Sequence, residues 1–326
     1  MSASATNIYL EGCLAPLGAY LGRRDVTDIY INQPGEIWLE TLGGSIDRIT
    51  IPELRVEVLG RLARQIAAIA GQGINREHPL LAANLPTGER VQIALPPATR
   101  GDIAFAIRKH VALDLSLKDY QIGGSSGTEL SVADNGCATN ARLAIPKEGD
   151  ASFLGDAVRQ RRNILISGGT SSGKTTFLNV LLRQIPAHER LILIEDTPEL
   201  SPRNENSVGL LAARGVMGEA AITAEDLLIA ALRMRPDRII LGEIRGSEAS
   251  TFLRAINTGH PGSLSTIHAD SPSRAIDQLA LLVLQTGIRM SWSDVVTYVR
   301  RSIDIIVQLK RGGDRRRIES IYYVEE

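Results

Sequence analysis

Cysteine is almost missing from this chain: only Cys13 and Cys137 occur, far apart and in no CxxC pair. That argues against a disulfide framework and against a structural zinc, and suits a reducing compartment. Aromatic residues are scarce at 4%, while hydrophobic residues make up 44%. The core must therefore be built from Leu, Ile, Val and Ala, as in α/β proteins with parallel strands. Charge of either sign is not in excess, with a formal net charge of −1. No bulk field draws a polyanion, and nucleic-acid binding would need a local basic patch. No apolar run approaches the ~18 residues of a membrane-spanning helix. The opening residues, MSASATNIYLEG, lack the basic-then-apolar pattern of a secretory signal. The expectation is a protein kept in the cytoplasm and able to sit on a membrane face.

The 326 residues are enough for two domains. Residues 28–41, DIYINQPGEIWLET, predict a hairpin turning at Pro34-Gly35, with Ile29, Ile31, Ile37 and Leu39 alternating with polar neighbours. Leu54, Val58, Leu62, Ile66 and Ile69 form one stripe and predict a helix over 53–70. RVQIALPP and DIAFAIRKH read as further alternating strands, so residues 1–120 are an α+β domain. Residues 121–150 turn to Gly, Ser, Ala, Asn and Asp with little periodicity, which suits an interdomain linker. From 151 to 326 the rhythm is strand, helix, strand, helix. NILIS, RLILIED, RIILGE and GSLSTI are short buried strands, and the last 24 residues read as a hairpin turning at Gly312-Gly313-Asp314. This predicts an α/β domain with a mostly parallel sheet covered on both faces.

Residues 168–175, GGTSSGKT, lie after a predicted strand and before a predicted helix, and fit the phosphate-loop spacing GxxxxGK[ST]. Gly168 and Gly173 free the backbone to aim amides at phosphate oxygens, across Gly169, Thr170, Ser171 and Ser172. The following helix adds its positive end. Lys174 can reach the β and γ phosphates, Thr175 offers a hydroxyl to Mg²⁺, and Thr176 follows in the same first turn. A nucleotide triphosphatase also needs carboxylates on neighbouring strand ends. LILIEDTPEL supplies Glu195, Asp196 and Glu199, and RIILGEIRG supplies Glu243 with Arg245 two residues on. Carboxyl ends of parallel strands are where such groups meet a ligand. No NKxD stretch marks a guanine-specific enzyme.

The chain has five histidines, and His260 and His268 fall together in INTGHPGSLSTIHADSP, residues 256–272. Their spacing, with no Cys, Asp or Glu between them, does not suit a metal site. The ordered segments GGTSSGKTT, IEDTPEL, MRPDRIILGEIRG and TGHPGSLSTIHADSP resemble the secretion ATPases of bacteria. They correspond to that family's Walker A, Asp box, Walker B and His box. The nearest likeness is to the traffic ATPases of VirB/VirD type IV secretion systems. The likeness spans most of 151–290, and is weaker in the first half, through INQPGEIW and GERVQIALPP.

The resemblance implies a RecA-like second domain and a homo-hexameric ring that binds ATP and Mg²⁺ between its two domains. It implies membrane components of a type IV secretion machine as partners, at the cytoplasmic face of an inner membrane. It also implies that Arg90 and Arg108 of the first domain reach the γ-phosphate, where they would stabilise developing charge. Small residues at 262–266 would let a strand pack beside the phosphates. His268 would end that strand and donate toward the γ-phosphate or Glu243. The strand before Glu243 has no Asp to meet magnesium directly, so the base stays open among Glu199, Glu195 and Glu243. Glu199 is favoured as base, with Glu243 holding Mg²⁺ through water. The charges of 310–317, KRGGDRRR, form a solvated hairpin tip or touch anionic lipid or nucleic acid. Three other functions fit the same motifs: a type IV pilus or type II secretion motor, a DNA-translocating RecA-like motor, and a nucleotide-gated scaffold. The two cysteines cannot build the four-cysteine zinc module typical of the larger extension motors.

Overall fold

The computed structural model describes residues 3–42, 44–109, 115–122, 149–212, 222–312 and 315–324. The chain forms two compact units. The first holds the described residues up to 109 together with Ile222, and the second holds those of 115–212 and 223–324.

Among the described residues, the first unit has six strands: β1 Val26–Ile31, β2 Glu36–Thr41, β3 Ile46–Thr50, β4 Leu80–Asn84, β5 Arg90–Ala94 and β6 Ala104–Arg108. They pair antiparallel throughout in the order β3-β2-β1-β6-β5-β4. Gly35 turns the expected first hairpin with a φ of +84°, which a side chain would resist. Helices α1 Ala3–Leu14, α2 Gly18–Leu21 and α3 Val56–Ile69 complete the unit. Of the stripe predicted for this helix, Leu62 and Ile66 are buried within α3 and Leu54 just before it, while Val58 and Ile69 are half-buried; Leu59 and Ala63 join the buried face, in one core with Ile29, Ile31, Val91, Ile93, Phe105 and Ile107. Alternation then turns Asp28, Tyr30, Trp38, Glu40, Arg90 and Arg108 to the other face of the sheet.

The second unit is built on nine strands: β7 Gln121–Ile122, β8 Gly149–Asp150, β9 Ile164–Gly168, β10 Leu191–Glu195, β11 Ser207–Leu211, β12 Arg238–Ile244, β13 Leu264–Ile267, β14 Ile305–Gly312 and β15 Arg315–Tyr323. The order is β11-β10-β12-β13-β9-β14-β15-β7-β8, parallel from β11 to β14. Of the expected linker, the ends pair as β7 and β8 at this sheet's edge; residues 123–148 lie outside the described residues. The expected terminal hairpin is β14 and β15, with Gly313 and Asp314 of its turn outside the described residues.

Among the described residues, six helices connect the strands: α4 Phe153–Arg159, α5 Lys174–Leu182, α6 Ala224–Ala231, α7 Glu248–Asn257, α8 Pro272–Gln285 and α9 Trp292–Ser302. Local sequence starts them: Thr223 and Asp226 form a capping box on α6, and Ser271 caps α8 just before Pro272. Both sheet faces are covered. Ile164, Ile166, Leu191, Leu193 and Ile240 join one core with α4 and α5, whereas Leu165, Ile192, Ile194, Ile239 and Leu241 join the other with α6 to α9. That period-two division of a continuous apolar run is what a parallel sheet requires.

Candidate nucleotide site

Strands β10, β12, β13 and β9 end side by side, and the loop after β9 carries the glycine-rich segment. Ser171 and Gly173 take positive φ values of 58° and 89°, and Gly173 starts α5 directly. Gly168 must be glycine. A Cβ there would lie 2.5 Å from Ser172 Oγ and 2.9 Å from the Leu309 carbonyl of β14. Lys174 opens α5 and is nearly buried. Its ammonium donates to the carbonyls of Gly168 at 2.8 Å and Gly169 at 3.0 Å, and lies 3.4 Å from each ring nitrogen of His268. Thr175 and Thr176 follow in the first turn, half-buried. The loop thus surrounds a fixed cation with backbone bends and a helix start, the donor set that suits a polyphosphate.

Two pieces of the fold bring carboxylates to the same edge. Glu195 ends β10, buried, and its Oε2 accepts the amides of Glu199 and Leu200 at 2.8 Å each. Asn179, in the middle of α5, grips the same loop from the other side. Its amide donates to the Glu199 carbonyl at 2.9 Å and accepts from the Ser201 amide at 2.8 Å. The backbone of Glu199 is therefore tied both to the strand and to the helix that begins with Lys174. One carboxylate oxygen of Glu195 clasps this loop.

Glu243, near the end of β12, has a nitrogen-bearing side chain beside each oxygen. His268 Nε2 stands 2.8 Å from Oε1, and Arg245 pairs with Oε2. Arg245 also lies 3.5 Å from Asp196 Oδ2. A line of ionisable groups, Lys174, His268, Glu243, Arg245 and Asp196, crosses the ends of four adjacent strands. The small residues of β13 make that spacing possible. Ser265 donates to the Leu241 carbonyl and Thr266 to the Gly242 carbonyl, both at 2.8 Å, clipping β13 to β12.

The two histidines lie at opposite ends of β13. His260 precedes the strand, with Nδ1 3.2 Å from the Ala255 carbonyl. Its own carbonyl accepts from Ser263 Oγ at 2.9 Å. It closes a turn and does not join the carboxylates. His268 follows the strand and stands among them.

Arg90 and Arg108 lie on β5 and β6 of the first unit, directly opposed in register. One contributor and one contact escaped the sequence reading. Asn179 is one polar residue in the apolar run FLNVLL, which could have marked it. Arg245 was visible beside Glu243, but its bridge to Asp196 depends on β10 and β12 being neighbours. Among the described residues no cluster of three His, Cys, Asp or Glu side chains is placed for a metal. Magnesium beside a nucleotide takes one or two protein oxygens and fills its shell with phosphate and water, so Thr175 and Glu243 suit it by donor chemistry.

A glycine-rich loop between a parallel strand and a helix, with carboxylates on neighbouring strand ends, defines a P-loop nucleotide-binding unit. A family model described as "Type II/IV secretion system protein" matches residues 132–313, and the chain belongs to that family. It is similar to the type IV secretion system protein VirB11 of Bartonella quintana, at 37% identity over 333 residues, 95% of this chain and 91% of that one. It is similar to the type IV secretion system protein PtlH of Bordetella pertussis, at 39% identity over 326 residues, 95% of this chain and 94% of that one. The crystal structure of the VirB11 ATPase of the Brucella suis type IV secretion system, in complex with sulphate, is 32% identical with a TM-score of 0.50, covering 98% of this chain and 96% of that one. The pilus retraction motor PilT, at 20% identity and a TM-score of 0.59 over 97% of this chain and 83% of that one, shares the fold. The chain is thus an ATPase of the type IV secretion class, with a RecA-like unit following a smaller α+β unit.

Proposed function

We propose that this ATPase works as a homo-hexamer at the cytoplasmic face of an inner membrane. There it couples ATP hydrolysis to substrate translocation, pilus assembly or both by a type IV secretion machine. Its partners are the machine's inner-membrane and coupling components, and anionic lipid can touch it peripherally. No helix among the described residues is long and apolar enough to cross a membrane, so recruitment to that face is through these contacts. The working division is a first domain over 1–120, a linker over 121–150 and a motor domain over 151–326. The observation that carries the proposal is the line from Lys174 through His268 to Glu243 at the mouth of the glycine-rich loop.

In this assignment the amides of residues 168–176 hold the phosphates of ATP, with Lys174 on the β and γ phosphates. Thr175, and Glu243 through water, hold magnesium, which when bound neutralises phosphate charge. Glu199, on its clasped loop, polarises the attacking water. His268 links the γ-phosphate to Glu243, so the presence of that phosphate can be felt at β12 and β13. Arg90 and Arg108 meet the γ-phosphate from the first domain and tie its loss to domain movement. The test is Mg²⁺-dependent ATP hydrolysis by the full chain, with and without single-stranded DNA. A secretion motor turns over at a rate indifferent to DNA. Strong stimulation by DNA would replace it with a DNA translocase.

A further inference from the structure

The face of the first unit's sheet that turns away from its core carries an ordered row of charges. Reading across the strands in register, the row is Ile46, Glu40, Asp28, Arg108, Arg90 and Asn84. Opposed positions in antiparallel strands put Cβ atoms about 5 Å apart, where opposite charges attract and like charges repel. Glu40 against Asp28 is unfavourable, and so is Arg108 against Arg90. Only the central step, Asp28 against Arg108, is attractive. Glu40 is further occupied by Tyr30, whose hydroxyl donates to its Oε2 at 2.9 Å. Burial, that hydrogen bond and the nearby Asp28 hold the Tyr30 phenol above its ordinary value, so it remains a donor. Glu40 thus presses on Asp28 from one side while Arg108 draws it from the other.

We propose that Asp28 is a positioning residue: a resident counter-ion that holds Arg108 until a phosphate displaces it, and takes Arg108 back when phosphate leaves. The proposal rests on the assignment of Arg108 to the γ-phosphate. An anion arriving on this face meets two adjacent guanidinium positions and must compete with Asp28 for one of them. Asp28 therefore weakens the hold on phosphate and favours its release after hydrolysis. Arg108 is exposed and Asp28 half-buried, so the competition has the size of a partly exposed ion pair, about two- to fivefold in an equilibrium constant.

The experiment is product inhibition of ATP hydrolysis by inorganic phosphate, for the full chain and for Asp28→Asn, Asp28→Glu and Arg108→Ala. In Asp28→Asn, phosphate should inhibit at about two- to fivefold lower concentration. Asp28→Glu should restore the wild-type value, and Asp28→Asn combined with Arg108→Ala should behave as Arg108→Ala alone. A purely structural role for Asp28 would not make phosphate bind tighter. Stabilisation against melting by phosphate gives the same ranking without turnover, should a variant be inactive. If Asp28→Asn leaves phosphate sensitivity unchanged while Arg108→Ala lowers it, Asp28 is not the counter-ion and the arginine assignment stands. If Arg108→Ala changes neither turnover nor phosphate sensitivity, the arginine assignment itself fails.

Discussion

At the scale of single residues, similar side chains a few positions apart do different work. Glu195 ends β10 and Glu199 lies four residues beyond it, and both are candidates for the base. One oxygen of Glu195 is spent on two backbone amides, and the proposed base is Glu199. Glu199→Gln should bind ATP normally and lower kcat by roughly a hundredfold or more. Near-normal turnover, measured beside nucleotide affinity, would move the base elsewhere. A second charged pair acts far from the loop. Arg238 is fully buried and pairs with Glu189 at 2.5 and 2.9 Å, while also donating to the Val158 carbonyl at 2.7 Å. Removing Arg238 leaves buried Glu189 with only the longer contact to Arg161 at 3.4 Å, so Arg238→Ala should cost about 3–5 kcal/mol in denaturant unfolding.

The same pair sets a pH dependence. Burial pushes the Glu189 carboxyl up, but the Arg238 hydrogen bond and charge outweigh it, so its folded value lies below the ordinary one. The stabilisation is therefore complete above the ordinary carboxylate value and is lost as pH falls through the lower folded value. Glu189→Gln should show a smaller loss of stability on acidification than wild type. An equal loss would show that other carboxylates govern the acid limb.

At the scale of elements, what was legible depended on periodicity and local chemistry. The buried strands β9, β10, β12 and β13 stood out as short apolar runs, and α3 as a stripe. The phosphate loop was legible because each residue type answers to a local need. Other elements carry no such signal. In β4 and β11, exposed and part-buried positions are filled by Leu, Ala and Gly, so apolar and polar do not alternate. β7 and β8 have two residues each, too few for any period. The grip of Asn179 on the Glu199 loop joins residues twenty apart through packing, which no local pattern announces. Gly168 shows how tightly the loop is set between elements. Gly168→Ala would press a methyl against Ser172 and against the backbone of β14. It should weaken ATP binding at least tenfold, an expected loss of about 1.4 kcal/mol or more, measured by nucleotide titration of the folded variant. Unchanged affinity would mean the loop relaxes freely.

At the scale of the whole molecule, the ordered motifs indicated an α/β motor following a smaller α+β half, and the family match and structural likeness agree. The strand order was not legible, because nothing local tells that β12 and β13 fit between β10 and β9. That order is what gathers Lys174, His268, Glu243 and Asp196 onto one edge. The most direct measurement is Mg²⁺-dependent ATP hydrolysis by the purified chain and by Lys174→Ala. Hydrolysis by wild type that is abolished in the folded variant, and by chelation of Mg²⁺, is the predicted result. Equal hydrolysis by both proteins would contradict the assignment of the glycine-rich loop as the site of the reaction.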